Sequence, residues 1–519
     1  MNRVTPDTVS AAIAAAAAHD GTEIALLDVR EHGQYGEGHP FFCVNMPYSR
    51  LEILAPTLLP RSSTPIVVLD DNDGVAERAA AALVAAGYPN VSVLDGGAES
   101  WSAAGFTLFK GVNLPSKAFG ELVELELHTP HLDAATLHSR LAQGDDLIVL
   151  DGRTPAEFRK MSIPAARSCP NAELPLRIHE LIPSQSTTIV VNCAGRTRSI
   201  IGAENLRALG LKNPIVALEN GTQGWRLAGF ELDHGLAPAA LPALGAQSKA
   251  QASAAARHFA ERFGIPTLSE DAIDALAAED RSVYLLDVRS HEEFVEGHVP
   301  GSVHAPGGQL AQATDQWVAA RGAKIVLIDN LGLRAYVTAR WLRGMGHDAC
   351  VAELSEGAFS ESGVPASSRL AGLTTISAGE LAVHSLLDVS SGMAYREAHL
   401  AGAVWGIRPR LDRIEIDRNR PICLIGEDPD VAALAAGELT ALDYTVAGYH
   451  ERDVEVWRAS GLSIESSPGT PSDEECIDYL FFVHDRHDGN LDAARAYLDW
   501  ETGLIAQMHA EERALLDPR

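Results

Sequence analysis

The feature that most constrains this chain is repetition at the scale of a domain. Four segments, IALLDVREHGQY, LIVLDGRTPAEF, VYLLDVRSHEEF and SLLDVSSGMAY, each run through a short apolar stretch to an Asp, and three carry Arg two residues later. Upstream of each lies an amphipathic helix pattern, such as LDAATLHSRLAQG or LSEDAIDALAAED, opened by a capping Asp or Ser. Downstream comes a second apolar run leading into a helix: PIVVLDDNDGVAERAAAALVAAG, TIVVNCAGRTRSIIGAENLRALG, KIVLIDNLGLRAYVTARWLRGMG and PICLIGEDPDVAALAAGELTALD. Three of these helices end in Gly, which suits a left-handed C-terminal cap. Short apolar strands alternating with helices imply parallel strands joined by crossovers, so each repeat is expected to be a small α/β domain.

The pattern places the first repeat at residues 1–120, the second at 121–240, a Pro/Ala-rich linker at 241–262 that turns helical near His258, the third repeat at 263–371 and the fourth at 372–467. Residues 468–519 read as a linker, SSPGTPSDEE, followed by one amphipathic helix over NLDAARAYLDWETGLIAQMHAEERALL that docks between domains. A length of 519 residues suits such a division, since a single core does not grow that large.

Charge narrows the function classes. Asp and Glu number 70 against 41 Lys and Arg, and a net charge of -29 argues against a nucleic-acid or anionic-membrane partner. An anionic small substrate then needs a locally positive pocket. The six cysteines show neither paired metal spacing nor a disulfide framework, so no metal and no cofactor are expected. No apolar run approaches a membrane span, and AAIAAAAA near the N-terminus makes a weak signal-peptide core, so a cytoplasmic location is expected.

One stretch carries the chemistry. In VVNCAGRTRSIIGAENL, Cys193 ends an apolar run, Arg196 and Arg198 follow, and a helix begins near Ser199. With LDVR and EEFVEGHVPGSVHAP of the third repeat, NCAGRTRS of the second resembles the rhodanese, or sulfurtransferase, family, and the chain reads as four tandem rhodanese-like domains plus a C-terminal helical tail. The resemblance implies five parallel strands with helices on both faces in each domain, and sulfur transfer through a cysteine persulfide. It also implies a nucleophile at Cys193 in a loop closed by Arg198 and Ser199.

Aligned on that loop, the Cys193 position is Asp70, Asp329 and Gly426 in the other repeats, none of which can accept a sulfane sulfur. One catalytic domain and three inactive ones are therefore expected. The thiolate is the reactive form, and a free Cys is mostly protonated at neutral pH. Backbone N–H groups curling around the sulfur, a helix N-terminus and a nearby cation all favour the anion. A cation within a few ångströms lowers a thiol's pKa by about one to three units, so Arg196 and Arg198 are expected to bind the donor, with Gly195, Thr197 and Ser199 as further substrate-binding positions. The expected substrates are a small anionic sulfur donor such as thiosulfate and a thiol or cyanide acceptor.

Other motifs receive quieter readings. Asp151 and Arg153 recur in repeats without the nucleophile and are expected to form a structural pair. The second repeat reads KMSIPA where the third reads EGHVPG, so its His is missing. Asn220, Gly221 and Thr222 form a turn expected near the loop. Cys350 and Cys423 belong to core strands, and Cys169 lies in the catalytic repeat, where it could act as a resolving thiol. Two rival functions remain open: a non-catalytic persulfide carrier or scaffold, and a phosphatase or arsenate reductase. The second is disfavoured because AGRT makes a ring one residue shorter than a phosphatase loop.

Overall fold

The computed structural model describes residues 2–276, 278–364 and 372–519; the boundary expected at residue 371 lies outside them. Four sheets of parallel strands flanked by helices follow one another along the chain. The second sheet runs in the order His131–Leu132, Ile215–Leu218, Thr188–Asn192, Leu147–Asp151, Arg167–Ser168. All of its pairings are parallel, and Thr188–Asn192 is buried throughout its length. Burial on both faces explains why TIVVN reads as an unbroken run rather than an alternation.

The third sheet repeats this order with Thr267–Ser269, Asp348–Glu353, Lys324–Ile328, Val283–Asp287 and Val303–His304. The fourth keeps four parallel strands, Val404–Trp405, Ser385–Asp388, Ile422–Gly426 and Val446–Glu451. The first sheet differs in one respect: Ala320–Arg321, from the third repeat, pairs antiparallel with Ile24–Asp28 and covers that edge. An edge strand left open presents unpaired N–H and C=O groups, so this exchange fastens the first and third repeats together.

Two connecting segments differ from the sequence reading. The helix expected near His258 starts earlier and spans Ala246–Phe263. Ala252, Ala256 and Phe259 are buried along one of its faces, which packs on Leu333–Gly344. The C-terminal segment forms three short helices, Leu491–Thr502, Leu504–Gln507 and Ala510–Ala514, instead of one. Gly503 caps the first, and Met508 and His509 leave the helical region before the third begins. The segment docks on distant parts of the chain: the Trp500 indole N–H donates to the Lys110 carbonyl at 3.0 Å, and the Asp517 N–H to the Gly344 carbonyl at 2.7 Å. No helix among the described residues is long and apolar enough to cross a membrane.

Candidate functional site

Cys193 leaves the C-terminal end of Thr188–Asn192, a central strand, and the next helix, Thr197–Ala208, begins four residues on. Ligand sites of parallel sheets gather at such strand ends. The loop is held from two sides. On one, the Thr222 N–H donates to the Cys193 carbonyl at 2.9 Å and the Gln223 N–H to the Ala194 carbonyl at 3.1 Å. This contact explains the turn at Asn220 and Gly221. Both adopt positive φ, and a Cβ on Gly221 would lie 2.2 Å from the Cys193 carbonyl oxygen. On the other side, the Asn192 amide donates to Asp151 at 2.8 Å, and Asp151 receives Arg153 in turn.

That Asp–Arg pair is structural, because it recurs where no thiol is present. Arg30, Arg153 and Arg289 each bind the Asp two residues earlier and also donate through Nη2 to the carbonyls of Gly38, Met161 and Gly297. In the fourth repeat, which has Ser390 in place of the Arg, Arg452 supplies the donor to the Ala394 and Ala398 carbonyls from another part of the chain. The His missing from the second repeat is likewise a packing group elsewhere. His39, His298 and His399 each contact a carbonyl four residues earlier and stack on Tyr35, Phe294 and Tyr395. Ser162 fills that position here, its backbone paired with Asp233.

The sister loops reveal what the Cys193 loop presents. In the first repeat, Asp70 accepts from the N–H groups of Asn72 at 2.9 Å, Gly74 at 3.1 Å and Ala76 at 2.9 Å. In the third, Asp329 accepts from the Arg334 N–H at 2.9 Å and from the Arg334 guanidinium. A carboxylate therefore plugs the cradle of backbone donors in both, and in the second repeat the Cys193 side chain stands in its place. In the fourth, Gly426 leaves the position without a side chain.

The two loop arginines are both buried and both paired. Arg198 grips Glu157 with two hydrogen bonds, at 2.7 and 2.8 Å, and also donates to the Gln309 side chain at 3.3 Å. Burial alone would lower its pKa, but Glu157 and the neighbouring Cys193 and Asp151 hold it above the usual guanidinium value. Burial alone would also raise Glu157, yet Arg198 and the Thr154 cap pull its carboxyl down to about 2. Arg196 is turned to the helix Leu114–Leu127, with Glu121 at 2.7 Å and Glu124 as its partners, so its charge is spent there. The structure does not bring the side chains of Thr197 and Ser199 into the cavity. The Thr197 hydroxyl donates to Glu501 at 2.9 Å, and the Ser199 hydroxyl to the Arg196 carbonyl at 2.7 Å.

Cys193, Gly195, Arg196 and Arg198 open onto a cavity of about 170 Å³ whose far walls come from distant sequence. Lys117 contributes from the helix Leu114–Leu127 at the end of the first repeat, Gln312 from the third repeat, and Phe482, Arg486, Tyr497 and Trp500 from the C-terminal segment. Glu501 is fully buried beside the loop, ion-paired to Lys117 at 3.2 Å, and a Cβ on Gly195 would lie 3.2 Å from its second oxygen. A larger residue at 195 would therefore push the C-terminal segment away from the loop. Sequence reasoning missed Glu157, Lys117, Arg486 and Glu501. Only Glu157 carried a local signal, the capping box TPAE, which recurs as SHEE before Glu293.

The remaining cysteines are unsuited to nucleophilic work. Burial pushes the thiols of Cys43 and Cys169 up strongly, Cys350 and Cys476 to about 11 and Cys423 to about 12. Cys169 is fully buried and absent from the cavity wall, so it is not placed to resolve a disulfide with Cys193. Among the described residues, no group of His, Cys, Asp and Glu is arranged to hold a metal ion.

Comparison with known proteins adds three findings. The family model described as "Rhodanese-like domain" matches residues 9–104, 133–228 and 269–360. A crystal structure of thiosulfate sulfurtransferase from Pseudomonas aeruginosa superposes with a TM-score of 0.90 at 40% identity, covering 98% of each chain. Two curated relatives match shorter segments. "Putative sulfur carrier protein YrkF" of Bacillus subtilis is 30% identical over 17% of this chain, and "Putative thiosulfate sulfurtransferase SseB" of Mycobacterium tuberculosis 34% identical over 19%. The chain spans about half the length of the first and a third of the second, 52% and 34%.

Proposed function

Because the chain belongs to the rhodanese family, we propose that it is a sulfurtransferase that carries a sulfane sulfur on Cys193, with thiosulfate or a similar anion as donor and a thiol or cyanide as acceptor. The observation that carries this reading is the occupancy of the sister loops. Asp70 and Asp329 show that this loop geometry receives an anion through backbone N–H groups, and only in the second repeat is the group at that position a nucleophile. The same donors serve a thiolate before the reaction and a persulfide after it.

The chemistry divides into two displacements. The Cys193 thiolate attacks the outer sulfur of the donor; a sulfur–sulfur bond forms, the bond to the sulfonate sulfur breaks, and sulfite leaves with the electron pair. The acceptor then attacks the terminal sulfur of the persulfide and returns Cys193 as thiolate. Arg198, held by Glu157 at the loop's end, is the cation that favours the anionic forms. Arg196 fastens the loop to Leu114–Leu127 rather than offering its charge to the donor. The first and third repeats bring Lys117 and Gln312 to the cavity, and the fourth holds the start of the C-terminal segment through Gly392 and Arg396, which meet Asp478 and Pro471.

Incubation with thiosulfate alone is expected to add the mass of one sulfur to a peptide containing Cys193 and to release one equivalent of sulfite. Ping-pong kinetics are expected when cyanide or a thiol is then supplied. Sulfite release undiminished in Cys193→Ser would overturn the assignment.

A further inference from the structure

Every cation that the sequence would offer to an anionic donor is already paired with a carboxylate. Arg198 is paired with Glu157, Arg196 with Glu121 and Glu124, and Lys117 with Glu501. A doubly charged donor entering a chain of net charge -29 needs a cation that is free to receive it. One such group lines the cavity. Arg486 stands on the C-terminal segment, and among the described residues it has no carboxylate within ion-pairing distance. Its Nε is buried without a hydrogen-bond partner, and among the described residues its only acceptor is the Val483 carbonyl at 3.4 Å.

The guanidinium is nevertheless held in place. It lies over the Tyr497 ring, 4.4 Å from the centroid, a cation–π contact that helps to hold it. Its backbone sits in a tight turn: Val483 and Asp485 have positive φ, and the N–H groups of Asp488 and Asn490 both donate to the Asp485 carbonyl. Lys160 of the second repeat pairs with Asp488 at 2.8 Å and pins this turn beside the loop. Arg486 also lines a second cavity of about 370 Å³, which shares Gln223 and His487 with the first. It therefore lines both cavities. Its neighbour His487 is lowered to about 4 by burial and by Arg486, so it brings no charge at neutral pH.

We propose that Arg486 is the specificity-determining cation of this site, capturing the anionic end of the sulfur donor and aligning its outer sulfur on Cys193. The inference rests on the sulfurtransferase reading above, but it can fail separately from it.

The test compares alkylation of Cys193 in the full-length protein by anionic iodoacetate and neutral iodoacetamide. Arg486→Met keeps the apolar stem on Tyr497 and removes the charge; Arg486→Gln is the second variant should the first melt early. Either is expected to lower the iodoacetate-to-iodoacetamide rate ratio by about tenfold while leaving the iodoacetamide rate nearly unchanged. Arg486→Lys is expected to keep most of the ratio, and Arg495→Gln, on the exposed face of the same segment, all of it. In turnover, KM for thiosulfate is expected to rise about tenfold in Arg486→Met with kcat little altered. An unchanged ratio in a folded Arg486→Met or Arg486→Gln protein would overturn the proposal. Should thiosulfate prove not to be a donor, the sulfurtransferase reading fails while the alkylation ratio still reports on Arg486.

Discussion

In the second repeat the loop of residues 193–199 carries a thiol, and its arginine meets one carboxylate and one neutral amide, Glu157 and Gln309. In the third repeat the matching loop, residues 329–335, carries a carboxylate, and Arg334 meets three: Asp329, Glu293 and Glu173. The two loops lean on each other, since Gln309 reaches Arg198 from the third repeat and Glu173 reaches Arg334 from the second. Position for position these are the same contact, with Gln on the side of the thiol and Glu on the other. The third repeat has thus saturated its cation and plugged its cradle with a carboxylate. The loop of the second repeat sets a single carboxylate against its arginine, so no excess of negative charge stands beside the sulfur. The two loops share their strand, turn and helix and differ in the group at the strand end and in the number of carboxylates around the arginine.

The largest expected effect comes from erasing that difference at its centre. Cys193→Asp copies the third repeat into the second and is expected to lower turnover by about 10³-fold or more while melting no lower than the native protein, because the cradle is filled as Asp70 and Asp329 fill it. A large fall in melting temperature would show that the cradle is not shared. The converse change, Asp329→Cys, is expected to yield no persulfide with thiosulfate. Arg334 remains bound by Glu293 and Glu173, and mass spectrometry of the treated protein checks this.

Changes at the cation come next in size. Arg198→Gln is expected to slow iodoacetamide alkylation of Cys193 at neutral pH by about tenfold or more, the usual effect of losing a close cation on a thiolate. Gln309→Glu supplies the second repeat with the carboxylate that the third already has. It is expected to slow the same reaction by a smaller factor, roughly threefold, with the fold intact. Alkylation as fast as in the native protein would mean that Arg198 does not act on the sulfur.

The unequal legibility of this molecule in its sequence follows from range. Strand, loop and helix follow one another locally, so TIVVNCAGRTRS announces a buried strand end, a turn and a helix start, and the α/β repeats emerge from counting such units. Charge balance is settled at long range. Arg196 and Arg198 look alike in NCAGRTRS, but the carboxylates that bind them lie 75 and 41 residues upstream, and nothing in the spacing shows that either is occupied. The C-terminal segment shows the same limit. Its apolar spacing marks a docking helix, but the break at Gly503 and the placing of Arg486, Tyr497 and Glu501 around Cys193 depend on contacts with residues far away in the chain, such as Lys110, Lys117, Lys160 and Thr197. Arg452, standing in for the Arg absent at Ser390, is a further case of a contact kept while its sequence position changed.

The smallest expected effect isolates the pairing from the chemistry. Glu157 and Glu293 do the same work in the two loops, and burial, which alone would raise them, is overcome by Arg198 and Arg334, so both carboxyls fall to about 2. A carboxyl whose folded pKa lies below its ordinary value near 4.5 stabilises the fold above that value, and the contribution fades as pH falls toward 2. Glu157→Gln leaves Arg198 with Gln309 alone, whereas Glu293→Gln leaves Arg334 with Asp329 and Glu173. The loss of stability is therefore expected to be greater for Glu157→Gln, since an unpaired buried charge costs more than a thinned cluster. Urea midpoints should show a constant difference from the native protein between about pH 5 and pH 8, shrinking below about pH 4.5. Equal losses in the two variants would mean that Glu173 and Asp329 do not compensate Arg334. A difference that grew in acid would mean that Glu157 is protonated in the folded loop, with Arg198 held by something other than its charge.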